Sequence, residues 1–204
     1  YAKSKIGTEE GVKTLADDTF TVTCLRFATA CGFSARTRLD LVLNDFVAGA
    51  VSTGEISILS DGTPWRPLIH VDDMALAIEW AVDRPASAGG AFLSINAGSD
   101  EWNYQVKDLA DAVARVVPDT KVSINPDAVP DKRSYQVSFA KFRELAPNHQ
   151  PRVTLEAAVE GLKNGLQKME FGDANFRTSE FIRLVVLKNH MASQRVNEDL
   201  FWIS

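Results

Sequence analysis

The feature that most restricts the fold is a repeated switch in hydrophobic period. Short runs of β-branched and aromatic residues alternate with longer runs whose apolar residues recur every three or four positions. Residues 20–28, Phe-Thr-Val-Thr-Cys-Leu-Arg-Phe-Ala, have the make-up of a largely buried strand and follow a helical pattern over 2–17. Leu39, Val42, Leu43, Phe46, Val47, Ala50 and Val51 predict a helix over 35–54, closed by Gly54. Residues 56–59 and 67–71 read as strands around an Asp61-Gly62 turn, and Asp72 or Asp73 is placed to cap a helix through Met74, Ala77, Ile78 and Ala81. A strand over 91–96 precedes a helix over 104–117 that stops at Pro118. Short strands near 121–124 and 135–138 and helices near 139–145, 154–169 and 179–193 complete the pattern, which is that of an α/β protein.

Composition narrows the function classes. The 204 residues are 45% hydrophobic and 24% charged, the balance of a globular chain rather than a disordered or disulfide-stapled one. With 22 Lys plus Arg against 27 Asp plus Glu, the net charge of −5 argues against a general nucleic-acid surface, so an anionic ligand needs a local basic site. The six-residue spacer between Cys24 and Cys31 fits neither a zinc knuckle nor a CxxC redox pair; reduced, buried thiols are expected and no metal site. No run approaches the roughly 20 apolar residues of a membrane helix, so a cytoplasmic protein without membrane contact is expected. The chain begins at Tyr1 rather than Met, as a processed product, a cloned fragment or an incomplete gene would.

The first residues, Tyr1-Ala2-Lys3-Ser4-Lys5, place a phenol and an ammonium four residues apart, on one helix face. A cation beside a phenol favours the phenolate and suits it to acid/base work, although a solvated helix face can show the same pair by chance. No GxGxxG loop, the usual cradle for a dinucleotide pyrophosphate, occurs in the chain.

Three motifs follow in order: Tyr1-x-x-x-Lys5, then Leu25-Arg26-Phe27-Ala28-Thr29-Ala30-Cys31-Gly32, then Asp61-Gly62-Thr63-Pro64-Trp65-Arg66-Pro67-Leu68-Ile69-His70-Val71-Asp72-Asp73-Met74-Ala75. Over about residues 1–166 this order and spacing resemble the extended short-chain dehydrogenase/reductase family, the NAD-dependent nucleotide-sugar epimerases and dehydratases. The resemblance implies the C-terminal part of a Rossmann-like fold with a smaller α/β substrate-binding domain, the glycine-rich nucleotide-binding half being absent. Residues 1–34 would be a remnant of the Rossmann domain and 35–204 mainly the substrate-binding domain, with strand 66–71 and helix 72–84 able to return to the Rossmann sheet.

The resemblance also assigns roles. Tyr1 would be the acid/base for a sugar hydroxyl, and Lys5 would also hold the nicotinamide ribose of NAD, or of NADP. Phe27 and Ala28 would pass the nicotinamide, and Thr29 falls where many members have a substrate-contacting Asn. Arg66 matches an arginine that binds the sugar-nucleotide diphosphate, a task for which a planar guanidinium fork is suited. Asp131-Lys132-Arg133-Ser134-Tyr135 resembles the region supplying a second phosphate arginine, Arg133, and Asn44, Arg36 and Arg38 lie near the helix that borders the nucleotide. Cys31 and Phe33 depart from the family's usual Tyr and Pro. A homodimer is expected through the helix carrying Tyr1 and Lys5, whose Ile6, Val12 and Leu15 would otherwise stay uncovered. A truncated, noncatalytic sugar-nucleotide-binding fragment without NAD binding, and an extended reductase acting on a non-sugar hydroxyl or ketone, remain the alternatives.

Overall fold

The computed structural model describes residues 1–125, 128 and 134–203. Its residues gather into two compact units, Tyr1–Cys31 with Gly62–Val106 and Val129–Thr154, and Gly32–Asp61 with Lys107–Ala128 and Leu155–Ser204. The architecture is mixed α/β with parallel strands.

In the first unit, helix α1 (Ala2–Lys13) leads to strand β1 (Val22–Phe27), which lies parallel to β5 (Phe92–Ala97) with Val22 opposite Phe92 and Phe27 opposite Ala97. After Ala28 the chain enters β2 (Thr29–Cys31), parallel to β4 (Trp65–His70), and β4 also pairs antiparallel with β6 (Asn103–Gln105). Ala30 and Cys31 pair with Ile69 and His70, so backbone hydrogen bonding keeps the chain extended. Helix α3 (Val71–Asp83) sends Ala77 and Trp80 into a core built with Leu93, Ile95 and Ala97, which are alternate residues of β5. Phe142, from α5 (Ala140–Leu145), meets Trp80 edge-on at 5.5 Å, and the Trp80 indole donates to the Leu145 carbonyl at 3.2 Å.

The cap of α3 differs from expectation. His70, not Asp72 or Asp73, occupies the cap position, its Nδ1 accepting the Asp72 N–H at 3.2 Å. Asp73 is buried and receives the N–H groups of Arg152 at 2.8 Å and Val153 at 3.3 Å. The expected strand at 135–138 is absent, because Tyr135 N–H bonds the Trp65 carbonyl while Val137 bonds a side chain instead of a strand, its N–H donating to Asn103 Oδ1 and its carbonyl accepting from Asn103 Nδ2.

In the second unit, α2 (Val42–Thr53) packs against α6 (Leu155–Lys168), and β3 (Glu55–Ile58) runs parallel to β7 (Lys121–Ile124). The Asp61-Gly62 turn therefore does not fold β3 back onto β4 as a hairpin. Helix α2 ends at Gly54 in the left-handed conformation (φ 70°), as its sequence predicts, but it starts at Val42 rather than residue 35. The reason lies in local hydrogen bonds: Ser34 and Thr37 bond each other, Arg38 forks onto Asp40, and the Arg38 carbonyl accepts from Asn44. Helix α4 (Val106–Val116) and α6 contribute Leu109, Val113, Val159 and Leu162 to the interior. The last helix, α7 (Arg183–Ala192), starts later than its apolar pattern suggests, after a 3-10 turn at Phe176–Thr178.

Candidate functional site

Lys5 sits one turn after Tyr1 because α1 is already wound there: the Tyr1 carbonyl accepts the Lys5 N–H at 3.1 Å and the Ser4 hydroxyl at 2.7 Å. The pair expected from sequence is formed, with Lys5 Nζ 5.5 Å from the centre of the Tyr1 ring. The Tyr1 side chain is 95% exposed, so its phenol is open to a ligand rather than packed in the core.

Phe27, Ala28 and Thr29 occupy the passage from β1 to β2, at the carboxyl end of a parallel strand, where α/β proteins place their ligands. Phe27 packs on the Trp80 core and Thr29 stands opposite Leu68. Arg66 lies in β4 opposite Tyr104, half-buried, with Nη1 donating to the Trp65 carbonyl at 2.8 Å. Tyr1, Lys5, Phe27, Ala28, Thr29 and Arg66 thus belong to one unit. Arg133 lies outside the described residues.

Asn44 belongs to the other unit and is 2% exposed. Its Oδ1 accepts the Gly32 N–H at 3.1 Å and its Nδ2 donates to the Arg38 carbonyl at 2.9 Å, so the amide braces the chain entering α2. Arg36, Thr37, Met169, Glu180, Phe181 and Arg183 help line a cavity of about 210 Å³ in this unit, while Arg38 is engaged by Asp40 at 3.0 and 2.6 Å.

Several structural residues carry no sequence motif of their own. Arg84 is buried and serves only neutral acceptors, the Thr23 hydroxyl and the carbonyls of Val22, Ala88 and Gly90, which ties the end of α3 to β1. Glu9 binds Arg26 of β1 and Ser94 of β5; its place two turns after Tyr1 was the available signal. Burial, and then the Asp73 charge, push the Cys31 thiol up to about 12, so it is no nucleophile. Both cysteines are unpaired, and among the described residues no cluster of His, Cys, Asp and Glu could hold a metal ion. Among those residues, no helix is long and apolar enough to cross a membrane.

The model of the NAD dependent epimerase/dehydratase family matches residues 1–98. Among solved structures, the chain is similar to UDP-glucose 4-epimerase from Thermotoga maritima (with UDP-glucose) at 22% identity and TM-score 0.68, covering 83% of this chain and 54% of that one. It is also similar to UDP-glucose 4-epimerase from Bifidobacterium longum (with NAD+ and UDP) at 19% identity and TM-score 0.66, covering 84% and 56%. UDP-Glc/GlcNAc 4-epimerase from Campylobacter jejuni matches at 24% identity and TM-score 0.63, covering 82% and 55%. The chain spans about half the length of these structures.

Proposed function

From the premise that residues 1–98 carry the NAD dependent epimerase/dehydratase pattern, we propose that this chain supplies the acid/base and substrate-binding residues of an NAD-dependent nucleotide-sugar epimerase or dehydratase. The observation that carries the reading is the Tyr1–Lys5 pair, exposed at the start of α1, in the same unit as the strand end at Phe27–Thr29. In this role the Tyr1 phenolate accepts the proton of a sugar hydroxyl as that carbon is oxidised, and returns it when the sugar is reduced. The Lys5 ammonium balances the charge on the phenolate. Arg66 would bind the diphosphate with its guanidinium fork, with Thr29 facing the sugar and Arg133 as a second phosphate partner, while Asn44, committed to backbone, takes no part.

The residues present fit one end of NAD. Lys5 offers a donor for ribose hydroxyls, and Phe27 and Ala28 lie at the carboxyl end of β1 in the same unit; no GxGxxG is present among the 204 residues to cradle a pyrophosphate. NAD, when bound, supplies the hydride acceptor. NADP would make the same contacts with Lys5. The homodimer belongs to the same proposal: Ile6 and Leu15 of the α1 region are more than half exposed, an apolar surface suited to a second copy. Light scattering at micromolar concentration is expected to give twice the monomer mass.

The test is turnover of UDP-glucose and related nucleotide sugars with NAD by the protein as expressed from its gene. Tyr1→Phe is expected to abolish turnover and leave nucleotide-sugar binding within about twofold, because only the proton-carrying oxygen is lost. Arg66→Ala is expected to weaken that binding by about 1.5–3 kcal/mol, the range for a charged hydrogen bond. Turnover surviving Tyr1→Phe would overturn the assignment. A chain that binds nucleotide sugar but not NAD would instead support the noncatalytic sugar-nucleotide-binding reading.

A further inference from the structure

Helix α1 carries the candidate catalytic pair, yet it contributes no buried residue. A polar contact centred on one side chain attaches it to the sheet. Glu9 receives Arg26 Nε on one carboxylate oxygen at 2.8 Å and Arg26 Nη2 on the other at 2.5 Å. Such a two-pronged fork fixes distance and orientation together. The second oxygen also accepts the Ser94 hydroxyl at 3.1 Å. One carboxylate on α1 therefore touches both parallel strands, β1 and β5. At the far end of the helix the contact is weaker, Lys13 Nζ lying 5.7 Å from the Phe92 ring.

Tyr1, Lys5 and Glu9 are spaced four and four, so they form a line down one helix face. Arg26 precedes Phe27, Ala28 and Thr29, so the fork grips the strand immediately before the residues of the candidate site. A helix turns as a rigid body. With side-chain tips about 5–6 Å from the axis, a slip of about 20° moves them by about 2 Å. A misplacement of about 1 Å can cost about a hundredfold in rate, so a loosened fork matters far more to turnover than to stability. Arg26 is more than half exposed, and breaking such a pair costs the fold little.

We propose that Glu9 is a positioning residue for the Tyr1–Lys5 pair: its carboxylate, held by Arg26 and Ser94, sets the rotation and register of α1 on β1 and β5. The proposal rests on the catalytic reading of Tyr1 and Lys5 given above.

Glu9→Gln keeps the size of the side chain and removes its charge. Two readouts separate the questions. Hydrogen exchange of the wild-type and Glu9→Gln proteins tests the fork without requiring activity: amides of α1 are expected to exchange faster, those of β1 and β5 unchanged. Turnover with NAD and nucleotide sugar tests the link to the site: kcat is expected to fall at least about tenfold with KM within about twofold. Arg26→Lys, which keeps the cation but not the fork, should reproduce both effects. Arg143→Gln, which opens the 3.2 Å pair with Asp100 elsewhere in the unit, should reproduce neither. Unchanged α1 exchange in Glu9→Gln overturns the proposal, and so does faster exchange with unaltered kcat. A wild-type protein without any turnover would instead refute the catalytic reading, and the exchange result would still decide whether Glu9 holds the helix.

Discussion

Asp72 and Asp73 are neighbours in the first turn of α3, and replacing each by Ala isolates what a buried carboxylate contributes. Both gain the same small benefit from the helix dipole, about 0.3–1 kcal/mol. The Asp72 side chain is 81% exposed, whereas Asp73 is buried and accepts two backbone N–H groups, from Arg152 and Val153. A hydrogen bond to a charged group contributes about 1.5–3 kcal/mol, and two on one carboxylate are not fully additive, so Asp73→Ala should cost about 3 kcal/mol more than Asp72→Ala. Asp73→Asn keeps one acceptor and should lose about half of that. Urea unfolding followed by tryptophan fluorescence reads this unit well, because Trp80 and Trp102 are buried within it. With a slope of about 2 kcal/mol per molar, the midpoint of Asp73→Ala should fall about 1.5 M below that of Asp72→Ala. Midpoints within about 0.25 M of each other would show that the two N–H groups find water as readily as carboxylate, and would refute the anchoring role.

Three other outcomes are expected. Gly165→Ala would drive a Cβ into the Phe33 ring, so the second unit should lose about 1–3 kcal/mol, measured by urea unfolding, unless the ring moves aside. In alkylation at pH 8 the native protein should show one slow and one nearly inert thiol: Cys24 is partly exposed, whereas Cys31 is buried with its thiol at about 12 and is thiolate in only about one molecule in ten thousand; mass spectrometry of the labelled peptides distinguishes them. The hydrogen bond from Arg26 holds the Glu9 carboxyl below its ordinary value of 4.5, so its contribution is complete above that pH and is lost as pH falls through the lower folded value; exchange of α1 should accelerate there while β5 stays protected.

How much of this was legible depends on the range of the interaction concerned. The C-terminal end of α2 could be read because Gly54 meets a local demand, a left-handed residue after an apolar run. Its start could not, since Leu39 and Leu41 continue the apolar pattern while Arg38, Asp40 and Asn44 hold the backbone in another conformation. The cap of α3 was missed for a related reason: Asp72 and Asp73 have the right side chains, but His70 has the right place, and Asp73 is committed to residues 152 and 153, distant in sequence. Among the candidate site residues, the contact of Tyr1 with Lys5 was legible because it is helical and local. That Asn44 braces backbone is a tertiary fact that no spacing announces, and the spacing of Glu9 from Tyr1 gives its helix face but not its partners Arg26 and Ser94.

The division of the chain explains why motifs so far apart read as one set. Residues 1–31 and 62–106 fall in the same unit, with Gly32–Asp61 an excursion into the other. The ends of that excursion are tied by backbone pairing of β2 with β4, Thr29 opposite Leu68 and Cys31 opposite His70. Arg66 thereby enters the unit that holds Tyr1, Lys5 and the Phe27–Thr29 passage, although roughly 40 to 65 residues separate it from them in sequence. Arg84 adds a second tie, since its guanidinium joins the end of α3 to Val22 and Thr23 of β1. A cation kept buried without a carboxylate must satisfy its donors on neutral oxygens, and that is possible only when those four acceptors are held together. Arg84→Met should therefore loosen the tie between α3 and β1 rather than any single contact, and its cost should appear in the unit bearing Tyr1 and Lys5 while the excursion keeps its hydrogen-exchange protection.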